Sequence, residues 1–126
     1  LLVQEISDDR RWTLPGGWAD AGLTGKQNAE KEFVEESGYQ VRATKLAAVY
    51  DRTKQGNKPP HPHETYKLFF LCEIIGGSPQ TSVETSGVDF FAENNLPDLS
   101  LSRVTPGQIK KMFEYHHNPY LPTDYD

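Results

Sequence analysis

Four glutamates crowd one short stretch: Glu30, Glu32, Glu35 and Glu36 in AEKEFVEES. The wider segment GLTGKQNAEKEFVEESGY reads as a single helix. Like charges three or four residues apart on a helix repel each other, so their company needs a reason. At about 100° per residue, Glu35 falls about 60° to one side of Glu32 and Glu36 about 40° to the other. These three carboxylates share a face. Glu30 projects from the far side and is expected to be merely solvated. Ala29, Phe33 and Val34 point elsewhere and can seat the helix on a sheet. A solvated acidic face is the ordinary meaning of such a pattern, and Lys31 with Glu35 would add a weak i,i+4 pair. Two features argue for more. Too few cations adjoin the cluster to neutralise it. It also follows the Gly16-Gly17 turn at a spacing that suits a backbone carbonyl facing the same point. Carboxylates with a carbonyl oxygen make a hard-oxygen site for Mg²⁺ or Mn²⁺, and Mg²⁺ commonly keeps several waters and bridges to substrate phosphates.

The elements that must position these residues are legible from punctuation and periodicity. LLVQEI is a short strand, SDDRR a turn, and WTLPGGW an extended segment broken at Pro15-Gly16-Gly17. Thr24 is an N-cap with Gln27 as its capping-box partner, which starts the helix at Gly25. The helix runs to Ser37, and Gly38 ends it in the left-handed region. YQVRATKLAAVYDR reads as one or two strands. TYKLFFLCEII carries a near-continuous apolar run and is expected to be a central strand buried on both faces. VDFFA is a short strand. Thr105 and Gln108 form a second capping box with Pro106 at the first helical position. The helix PGQIKKMFEYHH follows, with Ile109, Met112 and Phe113 on one face and two histidines at its end, where a cation suits the dipole. The tail NPYLPTDYD is expected to be irregular. Strands interleaved with two helices indicate an α/β domain.

Composition bounds the partners. The 126 residues fit one domain, with a formal charge of −5 and a pI near 5.3. A duplex nucleic-acid binder normally shows a basic stripe, so the charge balance argues against nucleic acid as a partner. The mean hydropathy is −0.67, and no apolar run approaches the roughly 20 residues that span a bilayer. Cys72 is the only cysteine and is expected to be a buried, inert thiol; its isolation fits a reducing cytoplasm. The abrupt opening on a strand without Met suggests that some N-terminal structure is missing.

The segment GWADAGLTGKQNAEKEFVEESGY, residues 17–39, resembles the signature of the Nudix hydrolases, G-x5-E-x7-R-E-U-x-E-E-x-G-U, where U is aliphatic or aromatic. Gly17, Glu32, Phe33, Glu35, Glu36, Gly38 and Tyr39 match it. WTLPGG and VDFFAENNLPDLSL are similar to the family's usual surroundings. Two positions depart: Leu23 stands where the family has Glu, and Lys31 where it has Arg. In the family these two interact across loop and helix and help to orient the catalytic glutamates. Lys keeps the charge but loses the planar fork, and Leu accepts no hydrogen bond. The resemblance implies an α/β/α sandwich around a mixed β-sheet. It also implies that Glu32, Glu35, Glu36 and the Gly16 carbonyl hold one or more Mg²⁺ or Mn²⁺ ions. Such ions acidify a water that splits a nucleoside diphosphate linked to another group. The family's general base varies between a helix glutamate and a downstream loop acid, here Glu84 in SVETSG.

Further candidates are weaker. Trp12 reads as core, whereas Trp18 is placed to stack on a base. Arg52 could meet phosphate bidentately. His61 and His63 in PPHPHE read as substrate-loop residues and not as metal ligands, and no Ser–His–Asp or Cys–His set is present. The stretch from Asp51 to Gly77 with LPTDYD is similar to a bacterial branch whose members carry an additional small N-terminal domain and act on ADP-ribose or CDP-choline. That resemblance implies a small nucleotide substrate and, loosely, a homodimer. Two rival readings are a degenerate domain that senses a nucleotide without cleaving it, and a house-cleaning enzyme for oxidised nucleoside triphosphates.

Overall fold

The computed structural model describes residues 1–126. The strands are β1 (Leu2–Glu5), β2 (Arg11–Thr13), β3 (Tyr39–Asp51), β4 (Tyr66–Gly77), β5 (Thr85–Asp89) and β6 (Asp124–Tyr125). The helices are α1 (Gly25–Ser37) and α2 (Pro106–His117), and one 3₁₀ turn spans Ile6–Asp8. The strands form two three-stranded sheets, β2-β1-β5 and β4-β3-β6. The second is mixed, since β4 runs antiparallel to β3 and β6 runs parallel to it.

Both helices begin as local chemistry dictates. Thr24 Oγ1 accepts the Gln27 N–H at 3.1 Å, and Gln27 Oε1 accepts the Thr24 N–H at 3.0 Å. The same reciprocal pair forms between Thr105 and Gln108. Gly38 ends α1 at φ +80°, and its N–H reaches the Val34 carbonyl. A Cβ at Gly38 would lie 2.3 Å from the Ser78 carbonyl oxygen, so no side chain fits there.

The core lies in two clusters. Leu2, Leu99, Val104 and Ile109 form one, with Trp12, Phe91 and Phe113 packed around them. Ala48, Tyr50 and Phe69 form the other, and Met112 packs against it. The apolar face of α2 therefore spans both. Leu14 also touches both clusters, which anchors the chain immediately before Pro15 and Gly16. Trp12 is half-buried against the first cluster, set edge-on to Phe91 at 4.9 Å, a packing role as its sequence context implies.

The structure corrects several expectations. The apolar run of β4 does not make it central. It is the edge of its sheet, Phe69 is its sole buried residue, and Tyr66, Leu68, Ile74 and Ile75 are exposed. An apolar run reports hydrophobicity and not the number of neighbours. The segment after α1 is one strand, bulged at Gln40/Val41, Ala43/Lys45 and Leu46/Ala48. Those bulges hide its alternation. Phe90 and Phe91 lie beyond β5, and the tail contains β6, fastened where Tyr50 Oη donates to Asp124 at 2.5 Å. Val34 stays exposed. Glu30 is half-buried and accepts the Ala43 N–H at 3.2 Å, tying α1 to β3 at a bulge. The Cys72 thiol is half-buried on β4, and burial pushes its pKa up to about 11.

Replacing Gly38 with Ala places a Cβ against backbone in the left-handed region, which costs about 1–3 kcal/mol. A loss of several degrees in Tm by thermal denaturation is expected, and an unchanged Tm would contradict the close approach.

Candidate active site

A loop and a helix are buttoned together. The Gly16 N–H donates to Glu36 Oε2 at 3.2 Å. A Cβ on Gly17 would lie 2.9 Å from the Glu32 carboxyl carbon, so this position must lack one for Glu32 to sit where it does. Further along, the Asp20 N–H donates to Asn28 Oδ1 at 3.0 Å, and Asn28 Nδ2 reaches the Trp18 carbonyl at 3.4 Å. Asn28 is itself buried in α1. The other side of Glu36 is fixed by β5, where the buried Thr85 hydroxyl donates to the Glu36 carbonyl at 2.8 Å. The chain just before β5 carries Glu84, whose carbonyl accepts the Ile6 N–H at 3.0 Å.

These contacts enclose a cleft of about 440 Å³. Gly16, Trp18, Glu36 and Glu84 line it, together with Glu5 and Arg103. A smaller cleft of about 250 Å³ is lined by Glu35, Glu36, Val83 and Glu84. The three helix glutamates share the acidic face but not the same environment. Glu36 is buried, Glu32 half-buried and Glu35 exposed. Burial, with Glu5, Glu32 and Glu84 nearby, raises the Glu36 pKa to about 8 against the partial opposition of the Gly16 N–H. Burial and then the Glu35 charge raise that of Glu32. Glu5 is raised by burial as well.

The remaining sequence candidates divide. Glu84 joins Glu36 at the cleft, and Trp18 lines its mouth with 70% of its surface exposed. His61 packs its ring 5.7 Å from Trp18, and His63 lies 5.7 Å from His61, so three rings form a row starting at the cleft lining. His63 itself does not line the cleft. Arg52 is not placed for phosphate. It is buried, and its guanidinium donates to the carbonyls of Ser102 and Pro59. A strand-end arginine announces its charge but not which carbonyls will claim it. The arginine that does reach the cleft is Arg103, held by Ser100 Oγ at 3.1 Å and Ser7 Oγ at 3.2 Å. Irregular sequence on both sides of it carried no signal.

The two departures from the family pattern also resolve locally. Lys31 does meet an acid: its Nζ lies 2.5 Å from Asp20 Oδ2 and 3.5 Å from Glu35 Oε1. Leu23 is partly exposed and takes no part. The acidic end of the loop-to-helix bridge comes from three residues earlier.

As a donor set, the face offers carboxylate and carbonyl oxygens, which suit a hard divalent cation. Its carboxylates raise one another's pKa, as uncompensated like charges do. No three acid or histidine side chains converge into a ready coordination group, so the donors are gathered on one wall without being closed around a point. No helix is long and apolar enough to cross a membrane.

The chain matches the NUDIX domain model over residues 1–113. A Bacillus subtilis protein, YjhB, provisionally named an ADP-ribose pyrophosphatase, is 40% identical over the whole chain, which spans 60% of that relative's length. The crystal structure of an ADP-ribose pyrophosphatase from Streptococcus suis superposes with a TM-score of 0.88 at 37% identity, covering 99% of this chain and 87% of that one. A UDP-X diphosphatase structure gives a TM-score of 0.87 at 30% identity, covering 99% of this chain and 59% of that one.

The Glu36 pKa yields a pH prediction. Between about 4.5 and 8, the unfolded chain releases a proton that the folded chain keeps. Stability in the presence of a chelator therefore falls as pH rises through that window. Glu36→Gln removes this titration. Its Tm should exceed that of the wild type by a margin that grows from pH 5 to pH 8; a constant margin would contradict the burial of the carboxyl.

Proposed function

The chain belongs to the Nudix family, and on that basis we propose that it hydrolyses the pyrophosphate bond of a nucleoside diphosphate linked to a second group, of ADP-ribose or CDP-choline type, with Mg²⁺ or Mn²⁺. The observation that carries this reading is the clasp of Gly16 on Glu36 at a cleft that also holds Glu84 and Arg103. An acidic wall alone would repel a diphosphate, so a substrate of that charge requires a cation between them. Glu32, Glu35, Glu36 and the Gly16 carbonyl would hold it. When bound, the cation offsets phosphate charge and lowers the pKa of a water.

The chain's own groups then have distinct tasks. Arg103 meets a phosphate oxygen from the rim, which orients the diphosphate across the acidic wall. Trp18 offers an open ring face for the base at the mouth. Glu84 accepts a proton from the attacking water, whose oxygen bonds to one phosphorus while the bridging oxygen leaves with the other. Asp20 and Lys31 keep Glu35 and the loop in register, which supports activity despite Leu23. The half-buried lone thiol suits a reducing cytoplasm.

A binding-only domain is the second reading, and one observation favours it: no three acids converge into a coordination group. A single assay separates the two. The protein is incubated with Mg²⁺ or Mn²⁺ and a panel of ADP-ribose, CDP-choline, sugar nucleotides and nucleoside triphosphates, and phosphate-containing products are followed. Cleavage of a diphosphate derivative is expected, with Glu36→Gln lowering kcat/KM on the order of a thousandfold. Ligand binding without turnover would establish the sensor instead. Preference for triphosphates would move the substrate class.

Two variants test the assignments within the cleft. Arg103→Ala should raise KM about tenfold while lowering kcat less, as loss of a ground-state phosphate contact does. Leu23→Glu combined with Lys31→Arg should change kcat/KM by no more than about threefold, because Lys31 already has its acid. A large gain there would mean that Asp20 does not do this work.

A further inference from the structure

The turn that presents Arg103 to the cleft is held from behind. Its Arg103 N–H donates to the Ser100 carbonyl at 2.9 Å, and the Val104 N–H reaches the same oxygen. The next three carbonyls, of Leu101, Ser102 and Arg103, find no partner within the turn. Main-chain oxygens inside a fold need donors. Here all the donors come from residues 52–67, the β3–β4 connection and the start of β4. Leu101 accepts from the Lys58 N–H at 3.1 Å and from Asn57 Nδ2 at 3.2 Å. Ser102 accepts from Arg52 Nε at 3.2 Å and Nη2 at 3.0 Å. Arg103 accepts from Lys67 Nζ.

Two of these donors are a poor choice for stability alone. Arg52 is buried and Lys67 half-buried, yet neither forms an ion pair. Burying a charge without a counter-charge is costly, and a neutral donor such as Asn57 serves a carbonyl as well. The cations also oppose one another: burial, then Arg52 and Arg103, push the Lys67 pKa down to about 8. What an arginine adds is its planar fork. Arg52 Nη2 also donates to the Pro59 carbonyl at 2.8 Å, so one rigid group joins the connection that carries His61 to the turn that carries Arg103. At the other end, Ser100 and Ser7 hold the Arg103 guanidinium. Backbone and head group are thus both fixed before a ligand arrives, and a long side chain held in this way loses less freedom on binding.

We propose that Arg52 and Lys67 are positioning residues that hold Arg103 where it meets a substrate phosphate. This rests on the reading above that Arg103 contacts phosphate, and extends it to two side chains that do not line the cleft. They act on the ligand through a backbone turn and not through their own charge. That role also accounts for two cations kept beside a third with no acid of their own.

The test is a double-mutant cycle on ADP binding in the presence of Mg²⁺, read by isothermal titration calorimetry, with the Tm of every variant recorded. Binding reports on Arg103 whether or not a substrate is cleaved. Arg103→Ala should weaken ADP about tenfold. Arg52→Met should weaken it about fivefold in the wild type but less than about twofold once Arg103→Ala is present, because residues that act as one unit are not additive. Lys67→Met should show the same dependence on Arg103, and it decides the matter where Arg52→Met does not fold. A lowered Tm with wild-type ADP affinity in these variants would make both residues structural only and overturn the proposal. An equal loss of affinity with and without Arg103 would also overturn it, since the two cations would then act on the ligand by themselves. Either result leaves the phosphate role of Arg103 standing. Unchanged affinity in Arg103→Ala, or no ADP binding by the wild type, would overturn that role and this inference with it.

Discussion

The rest of the molecule is arranged around one awkward fact: the Glu36 carboxyl is buried among other carboxyls. Burial favours its neutral form, and Glu5, Glu32 and Glu84 push the same way. One backbone N–H, from Gly16, is what the fold offers in return. Every nearby contact holds this arrangement in place. Leu14 anchors the loop in both core clusters, Thr85 grips the Glu36 carbonyl, and the Gly17 position leaves room for Glu32. A fold that served stability alone would not gather its acids on one wall. It would pair them, as the surface pair Arg42–Glu73 is paired at 3.0 Å.

What could be read from the sequence was what is decided locally. Both capping boxes, the bounds of α1 and α2 and the left-handed Gly38 follow from residues within a few positions of one another. The glutamate face was likewise a matter of helical period, and a long spaced pattern supplied the family. Whatever depends on distant partners was less visible. Glu30 looked solvated because a helical wheel does not contain the Ala43 amide. Arg52 looked like a phosphate ligand because nothing in its neighbourhood announces the Ser102 and Pro59 carbonyls. Nothing local marks Asp20 as the partner of Lys31, because the two lie 11 residues apart across a loop that the buried Asn28 holds. Arg103 and Glu5 reach the cleft from opposite ends of the chain, and only the tertiary fold brings them together.

The cleft has a polarity of its own. Its acids come from α1, from the end of β1 and from the loop before β5, while its one lining arginine comes from the segment preceding α2. That arginine is bound by serine hydroxyls and lies beside a shared aspartate, so its charge is only partly spent. The cleft thus sets one partly available cation opposite a group of acids. The ring series Trp18, His61 and His63 continues from the cleft lining, each ring 5.7 Å from the next.

The residues that α1 buries are Asn28, Glu36 and Ser37, all polar. Its Val34 remains in solvent, its Phe33 and Ala29 are half-buried, and hydrogen bonds through Glu30, Glu36, Ser37 and Asn28 tie it to the body. Heat capacity and denaturant sensitivity both scale with the surface uncovered on opening, and the heat-capacity gain comes from its apolar part. Among its fully buried residues such a helix uncovers only polar groups when it lifts, and its apolar share is the half-buried Phe33 and Ala29. Amide exchange along residues 25–37 would register its opening directly. Whatever α1 carries is thus held mainly by polar contacts, unlike the apolar Leu2 and Tyr50 clusters.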